Sequence, residues 1–464
     1  MSPDDPTRIE KDSMGPMEVP ADAYYGASTE RARLNFPISD LRFKRPFIRA
    51  LGLIKGSAAN VNSQLSLLDA EQSKVIQQAA EEVADGRWDD EFVIDIFQTG
   101  SGTSTNMNAN EVIANRATEI MGGDRGSKLI HPNDHVNKGQ SSNDVIPTAI
   151  HLSAIIEIQR TLIPALEVLE ASLREKSKEF WTVVKTGRTH LQDATPIRLG
   201  QEFLGYAGQI ERGIARVKHA QGQLSEVALG GTAVGTGVNT HPDFARLVCA
   251  EVSETLEIKI RETDNHFQAQ NALDSVLEAS GALRTVAVSL YKIANDIRWM
   301  GSGPRAGIGE IALPEVQPGS SIMPGKINPV IAESVIQVVA QVIGCDATIC
   351  QAAQGGYFEL NMMMPVAAHN LLQEIELLAS SATNFSRQCV DGLQATDRAS
   401  ESVGRGLMLA TALAPAIGYD EAASVAKEAA RTGQTIREVA AAQTDLSVEQ
   451  LDDLLNAEAM TEPK

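Results

Sequence analysis

Aromatic side chains make up only 4% of this 464-residue chain, and there are four cysteines. With so few rings, packing falls to Ala, Leu, Ile and Val, and the accompanying Glu and Gln favour helix. Cys249, Cys345, Cys350 and Cys389 are too few and too scattered for a disulfide framework or a metal cluster. They read as small buried hydrophobes in a reduced compartment. No run reaches 18 consecutive apolar residues, so no membrane span is expected. Positive charge is scarce as well: 40 Lys and Arg against 60 Asp and Glu leave a formal net charge of -20. That balance argues against a nucleic-acid partner, because phosphate backbones are held by clustered cations. It argues equally against an anionic membrane surface. The first residues, MSPDDPTRIEKDSMG, have neither a basic n-region nor an apolar h-region, and the expected location is the cytoplasm.

What is present is enough for a large core. The chain is 43% hydrophobic and 22% charged, and at roughly 150 residues per domain it is long enough for about three domains. Asp69 and Gln72 have capping-box spacing ahead of a helix over 70–85, with Gly86 at its end. A longer apolar-periodic segment runs from Asp144 to about Phe180, with Leu162, Leu166, Leu169 and Leu173 in phase; Pro147 is tolerated in its first turn and Pro164 should kink it. A second runs from about Phe267 to Met300, and a third from Asn328 to about Ala353. The third is rich in Val and Ile, yet its length and heptad spacing outvote strand propensity. Segments of roughly 25 to 38 residues would be about 40 to 55 Å long. Rods of that length should pack side by side in a bundle, within one chain and across subunits, the alternative being a monomer with surface helices. The expected fold is mainly all-α in three parts: an N-terminal domain over 1–138, a central long-helix bundle over 139–364, and a small C-terminal helical domain over 365–464. Its last clear start is Ser447, with Gln450 at capping-box spacing.

Four polar, glycine-containing stretches interrupt the helical patterns: 98–106 (QTGSGTSTN), 131–144 (HPNDHVNKGQSSND), 186–196 (TGRTHLQDATP) and 319–329 (GSSIMPGKINP). Ser, Thr and Asn offer neutral hydrogen-bond donors, glycine admits close backbone N–H groups, and a following helix N-terminus favours anions. Each therefore reads either as a carboxylate grip or as a capped loop, since the same residues serve turns. Four in one helical chain favour a site. Other motifs fail on detail. The stretch 230–237 (GGTAVGTG) lacks the lysine of a phosphate-binding loop, and His131 and His135, though four apart, have Pro132 between them and no adjoining Glu. Neither a metal nor a cofactor is expected.

The fourth stretch resembles the signature of the fumarase/aspartase superfamily, G-S-S-x-M-P-x-K-x-N, at Gly319–Asn328. The third is similar to class II fumarases, whereas aspartases typically have Gln where His190 stands. Residues 131–137, 230–237 and 359–361 (ELN) are similar to fumarase segments too, and the resemblance covers nearly the whole chain. It implies a cofactor-free hydratase interconverting fumarate and (S)-malate in the citric acid cycle, with an aspartate ammonia-lyase or another lyase of the superfamily as the alternative. It also implies a homotetramer built on a bundle of the long helices, its active sites shared between subunits.

The resemblance carries roles residue by residue. Ser320 would be the base that takes the C3 proton, on a loop whose Gly319 and Gly325 suggest a lid; the alternative is a serine that binds substrate or caps the loop. Lys326 and Asn328 would hold the carboxylate that becomes an aci-dianion, stabilising the transition state more than the substrate. His190, oriented by Glu333, would act on the departing hydroxyl, or else take the C3 proton itself with Ser320 as a binder. Ser101, Thr103, Ser141, Ser142, Asn143, Thr189 and Ser321 would bind the substrate. His131, Asn133 and Asp134 would form a second dicarboxylate site or a plain structural loop. Three positions depart from the usual pattern: Phe97 for Trp, Ser104 for Gln and Gly139 for Ser. None removes a reacting group.

Overall fold

Helix accounts for most of residues 6–463, the part of the chain that the computed structural model describes. A hairpin of β1 (Thr7–Asp12) and β2 (Gly15–Pro20) precedes α1 (Ala27–Asn35), α2 (Arg45–Gln64), α3 (Ala70–Ala84), α4 (Thr103–Ile120) and α5 (Ser142–Glu157). Then come α6 (Ile163–Glu179) and a second hairpin, β3 (Val184–Thr189) and β4 (Gln192–Arg198). Five helices follow: α7 (Leu199–Leu224), α8 (Phe244–Leu256), α9 (His266–Asn271), α10 (Asp274–Met300) and α11 (Val330–Ala353). Next are α12 (Met364–Gln388) and shorter helices that include Tyr419–Thr432, Ile436–Gln443 and Val448–Leu454.

Local chemistry sets the boundaries. The Asp69 carboxylate accepts from the N–H groups of Glu71 and Gln72 and starts α3, although Gln72 does not reach back to complete the box; Gly86 follows its end at φ +91°. Ser447 and Gln450 do form the reciprocal box, as do Thr435 and Glu438. The segment from Asp144 to Phe180 does not stay α-helical throughout. A π-helical turn occupies Ile158–Leu162 just ahead of Pro164, whose ring nitrogen has no hydrogen to donate and whose ring crowds the preceding turn. The segment from Phe267 to Met300 also divides, with α9 ending at Asn271 and α10 starting at Asp274.

The described residues pack as two units, each drawn from several stretches of chain. One takes the residues up to Ile163 together with Ala215–Thr285 and Ala340–Leu378; the other takes Pro164–Ile214, Val286–Val339 and the residues from Ala379 onward. In the first, α2 buries Phe47, Ile48, Leu51 and Ile54, each contributing about 1.5–3 kcal/mol. A Cβ on Gly52 would lie 2.7 Å from the Ala84 nitrogen, so only glycine lets α2 lie this close to α3. In the second, Phe180 meets the edge of Phe203 at 5.2 Å between ring centroids. A separate small core gathers Leu409, Leu413, Val425, Ile436, Val439 and Leu451. Helix α11 has a mean hydropathy of 1.5 over an 18-residue window, long and apolar enough by composition to cross a membrane, and only 33% of that window is buried within the chain.

Candidate active site

The signature loop is closed on itself by its own backbone. Gly319 N donates to the Lys326 carbonyl at 3.0 Å, Lys326 N donates to the Met323 carbonyl at 3.3 Å, and Asn328 Nδ2 donates to the Gly319 carbonyl at 2.5 Å. A Cβ on Gly319 would sit 2.1 Å from the Lys326 oxygen, which accounts for glycine there. Inside this ring the Ser320 hydroxyl oxygen accepts from two backbone N–H groups, Met323 at 2.9 Å and Ile322 at 3.2 Å. Two donors aimed at one oxygen lower the cost of negative charge on it. Ser321 and Lys326 are exposed, as is Glu333 in the first turn of α11.

The third polar stretch is a β-hairpin whose second strand, β4, runs directly into α7 at Leu199. Thr189 pairs with Gln192, leaving His190 and Leu191 as a two-residue turn with φ of 55° and 60°. Such turns usually carry Asn-Gly, because side chains resist φ > 0. A register shift sets the single residue Gly187 of β3 against Ala194 and Thr195, so that β4 bulges there and the hairpin end that bears Thr189 and His190 is re-aimed. The strand is held from below by buried charge. Glu310, 1% exposed, receives both arms of Arg188 at 2.7 and 3.0 Å, and Lys185, also 1% exposed, lies 3.1 Å from Glu310 and 3.1 Å from Glu202. Thr189 and His190 are exposed, and no hydrogen bond among the described residues joins His190 to Glu333 or the hairpin turn to the signature loop.

The first two stretches belong to the other unit and meet there. Ser101 and Thr103 share a hydrogen bond at 2.8 Å across Gly102, which caps α4 in the left-handed conformation. Gly102 has no side chain to cap with, and Gln98 Oε1 accepts from Thr105 N at 3.0 Å, so the N–H groups that face an anion here are those of Thr103 and Ser104. At α5 the Ser141 hydroxyl and the Asp144 carboxylate form a capping box, placing Ser141, Ser142 and Asn143 around a helix N-terminus. Asp144 goes further, accepting from Gly230 N at 3.0 Å and Thr232 N at 2.9 Å. The glycine-rich stretch 230–237 therefore delivers its N–H groups to a protein carboxylate. Burial raises the Asp144 pKa, and these backbone donors together with Lys55 oppose the rise.

Asn137 binds the two stretches together. Its side-chain oxygen accepts from Lys55 Nζ at 2.9 Å, Asn110 Nδ2 at 3.2 Å and Asn106 Nδ2 at 3.3 Å, and the Asn106 amide also lies 3.3 Å from the Ser142 hydroxyl. Lys55, which has a second acceptor in Gln140 Oε1 at 2.9 Å, is 0% exposed, and desolvation drives its pKa down to about 7. The sequence reading missed Lys55, Asn106 and Asn137. The available signal was Lys55 itself, a cation in phase with Ile48, Leu51 and Ala58 on the apolar face of α2.

The proposed second site is a short π-helical turn over Pro132–Val136, capped by His131, whose Nδ1 accepts from Asn133 N at 3.2 Å and Asp134 N at 3.1 Å. Asn133 and Asp134 are exposed. A cavity of about 260 Å³ beside the turn is lined by His131, Asn133, Lys11, Lys128, Glu10 and Glu111 among others.

The chain matches the family model described as Lyase over residues 15–344 and the one described as Fumarase C C-terminus over residues 409–462. It is 56% identical over 455 residues to the class II fumarate hydratase of Halobacterium salinarum, covering 98% of this chain and 97% of that protein. To the mitochondrial fumarate hydratase of Saccharomyces cerevisiae it is 51% identical over 460 residues, covering 98% and 94%. The crystal structure of recombinant class II fumarase from Schistosoma mansoni superposes with a TM-score of 0.97 at 38% identity, covering 99% of this chain and 100% of that one. With such identity along almost its whole length and an intact signature loop, the chain belongs to the class II fumarate hydratases, a family of lyases.

Proposed function

We propose that the protein catalyses the reversible anti addition of water to fumarate, giving (S)-malate, within the citric acid cycle. Read from malate toward fumarate, Ser320 as an oxyanion takes the C3 proton. The electron pair left on C3 spreads into the neighbouring carboxylate as an aci-dianion. Lys326 and Asn328 hold that carboxylate, and their charge and amide dipole act most strongly once the second negative charge has formed. The C2–O bond then breaks, and the departing hydroxide takes a proton from His190, oriented by Glu333, and leaves as water. The grips for the substrate carboxylates are Ser101 and Thr103 at α4, Ser141, Ser142 and Asn143 at α5, and Thr189 with Ser321.

The observation that carries this reading is the pair of N–H groups at 2.9 and 3.2 Å on the Ser320 oxygen, since a serine hydroxyl is a poor base unless its oxyanion is stabilised. His190 on the hairpin turn favours a hydratase over an aspartate ammonia-lyase. The active unit is a homotetramer whose sites draw residues from several chains. The apolar α11, two-thirds of whose window is unburied in one chain, supports that assembly, as does the exposure of both His190 and Glu333. His131, Asn133 and Asp134 would take a second dicarboxylate, the first two lining a cavity that also presents Lys128. Four unpaired cysteines suit a reducing compartment, the cytoplasm. Incubation with malate and, separately, with aspartate, followed by fumarate absorbance, tests the reaction. Absorbance should rise from malate; a rise from aspartate alone would end the hydratase reading.

A further inference from the structure

Lys55 stands apart from every residue assigned a role so far. It is a lysine with no exposed surface, on the apolar face of α2, and both of its hydrogen-bond acceptors are neutral amides. A buried ammonium paired only with amides is costly to hold, and the charged group that faces it, Asp144, is already saturated by backbone N–H groups. Stability alone does not account for such a residue, because an apolar side chain of the same length would fill the space at lower cost. Its contacts supply a reason. Asn137, the first acceptor, also collects amides from Asn106 and Asn110 on α4, and Asn106 reaches Ser142. Gln140, the second, donates back to the carbonyls of Val136 and Lys138 and so shapes the turn leading to Ser141. One side-chain amine thus fastens the first turns of α4 to the loop in front of α5.

We propose that Lys55 is a positioning residue for substrate binding: through Asn137 and Gln140 it fixes the carboxylate grips of 98–106 and 137–143 relative to each other, and in its protonated form it places a positive charge behind them. The proposal rests on the reading that these loops bind the substrate dianion. Lys55 does not touch the reacting atoms. Its effect is on how well the dicarboxylate is held before and during the chemistry, so it acts on ground state and transition state alike and appears in KM more than in kcat.

The test compares full-length wild-type protein with Lys55→Met, in which the methylene stem is kept and the charge removed. Fumarate hydration is followed by absorbance, and binding of succinate, a dicarboxylate that cannot react, by calorimetry. The expected result is a correctly assembled variant with KM for fumarate raised by about tenfold or more, a parallel weakening of succinate, and kcat changed by less than about threefold. Unchanged KM and succinate affinity in a folded variant overturn the proposal, as does a fall in kcat with KM intact. Should Lys55→Met fail to fold, Asn137→Asp is read instead. It preserves volume and sets a carboxylate against the ammonium, cancelling the charge, so the same rise in KM is expected and its absence is equally fatal. The two failures are distinguishable. A wild type that neither hydrates fumarate nor binds succinate refutes the functional reading and this proposal with it, whereas an active wild type beside an unaltered variant refutes this proposal alone.

Discussion

Replacing Glu310 with Gln keeps the shape of a side chain that is 1% exposed and removes only its charge. Two cations face that carboxylate, Lys185 at 3.1 Å and Arg188 through paired bonds at 2.7 and 3.0 Å. Removing one partner of a buried ion pair costs about 3–5 kcal/mol, because the other charge is left uncompensated away from water. Two features move the expectation to the lower end. Lys185 retains Glu202 at 3.1 Å, and Arg188, 22% exposed, regains some hydration. About 3 kcal/mol is therefore expected. The loss falls on the β3–β4 hairpin, since both cations sit on β3, and its turn has the strongest reason to relax: His190 and Leu191 are held at φ > 0 without being glycine. Hydrogen exchange at the amides of residues 184–198 should accelerate by about a hundredfold, as 1.4 kcal/mol is a factor of ten. Exchange in the small core around Leu413 and Val439 should not change. Turnover should fall with the hairpin's order, because His190 no longer keeps one place. Arg188→Lys, which retains charge but not the two-pronged geometry, should lie between wild type and Glu310→Gln. Unchanged exchange across 184–198 in Glu310→Gln would refute the claim that buried charge holds this turn.

Ser320→Ala should reduce kcat by at least about a hundredfold while leaving the assembly seen by size-exclusion chromatography intact, because the N–H groups of Ile322 and Met323 that lose their acceptor are on exposed residues; full activity would return the C3 proton to His190. Glu374 is 0% exposed, and burial lifts its pKa from 4.5 to about 9. Its folded value exceeds its unfolded one, so the stability it contributes is complete below about pH 4.5 and is lost as pH rises toward about 9. Glu374→Gln, neutral throughout and still able to accept from the Ser280 hydroxyl 3.0 Å away, should flatten the dependence of the thermal midpoint on pH between about 5 and 9, and an undiminished slope would assign that dependence elsewhere.

How much the sequence discloses depends on whether a feature is local. Helices α3, α10 and α11 and the Ser447 box follow from periodicity and caps, which act within a few residues, so they are legible. The β3–β4 hairpin is not, because its turn residues are His-Leu where a hairpin normally announces itself with Asn-Gly; what sustains the turn is Glu310, more than a hundred residues away in sequence. The same holds for residues 230–237. Their glycines resemble a phosphate loop, and only the folded chain brings Gly230 N and Thr232 N to Asp144. The signature loop is legible as a motif, yet the two N–H groups converging on Ser320 depend on a ring closed between Gly319, Lys326 and Asn328.

A chain of net charge -20 that acts on a dianion poses an apparent conflict, and the placement of its acids removes it. Charges on the outer surface are screened over about 8 Å at physiological ionic strength, so those farther away than that do not govern the grips. What matters is whether acids near the grips still have unspent charge. Asp144, beside Ser141 and Asn143, accepts from three backbone N–H groups, and Glu111, beside the second-site turn, accepts from those of Gly26, Ser28 and Thr29. Their negative charge is already answered by oriented dipoles. Against them stand Lys55 Nζ behind the loops and the N–H groups of Thr103 and Ser104 at the start of α4. The local potential at these two helix starts is therefore set by amides and Lys55, whatever sign the whole molecule carries. Substitutions of exposed acids should leave dicarboxylate affinity nearly untouched, while a neutral side chain at Lys55 or Lys326 changes it directly.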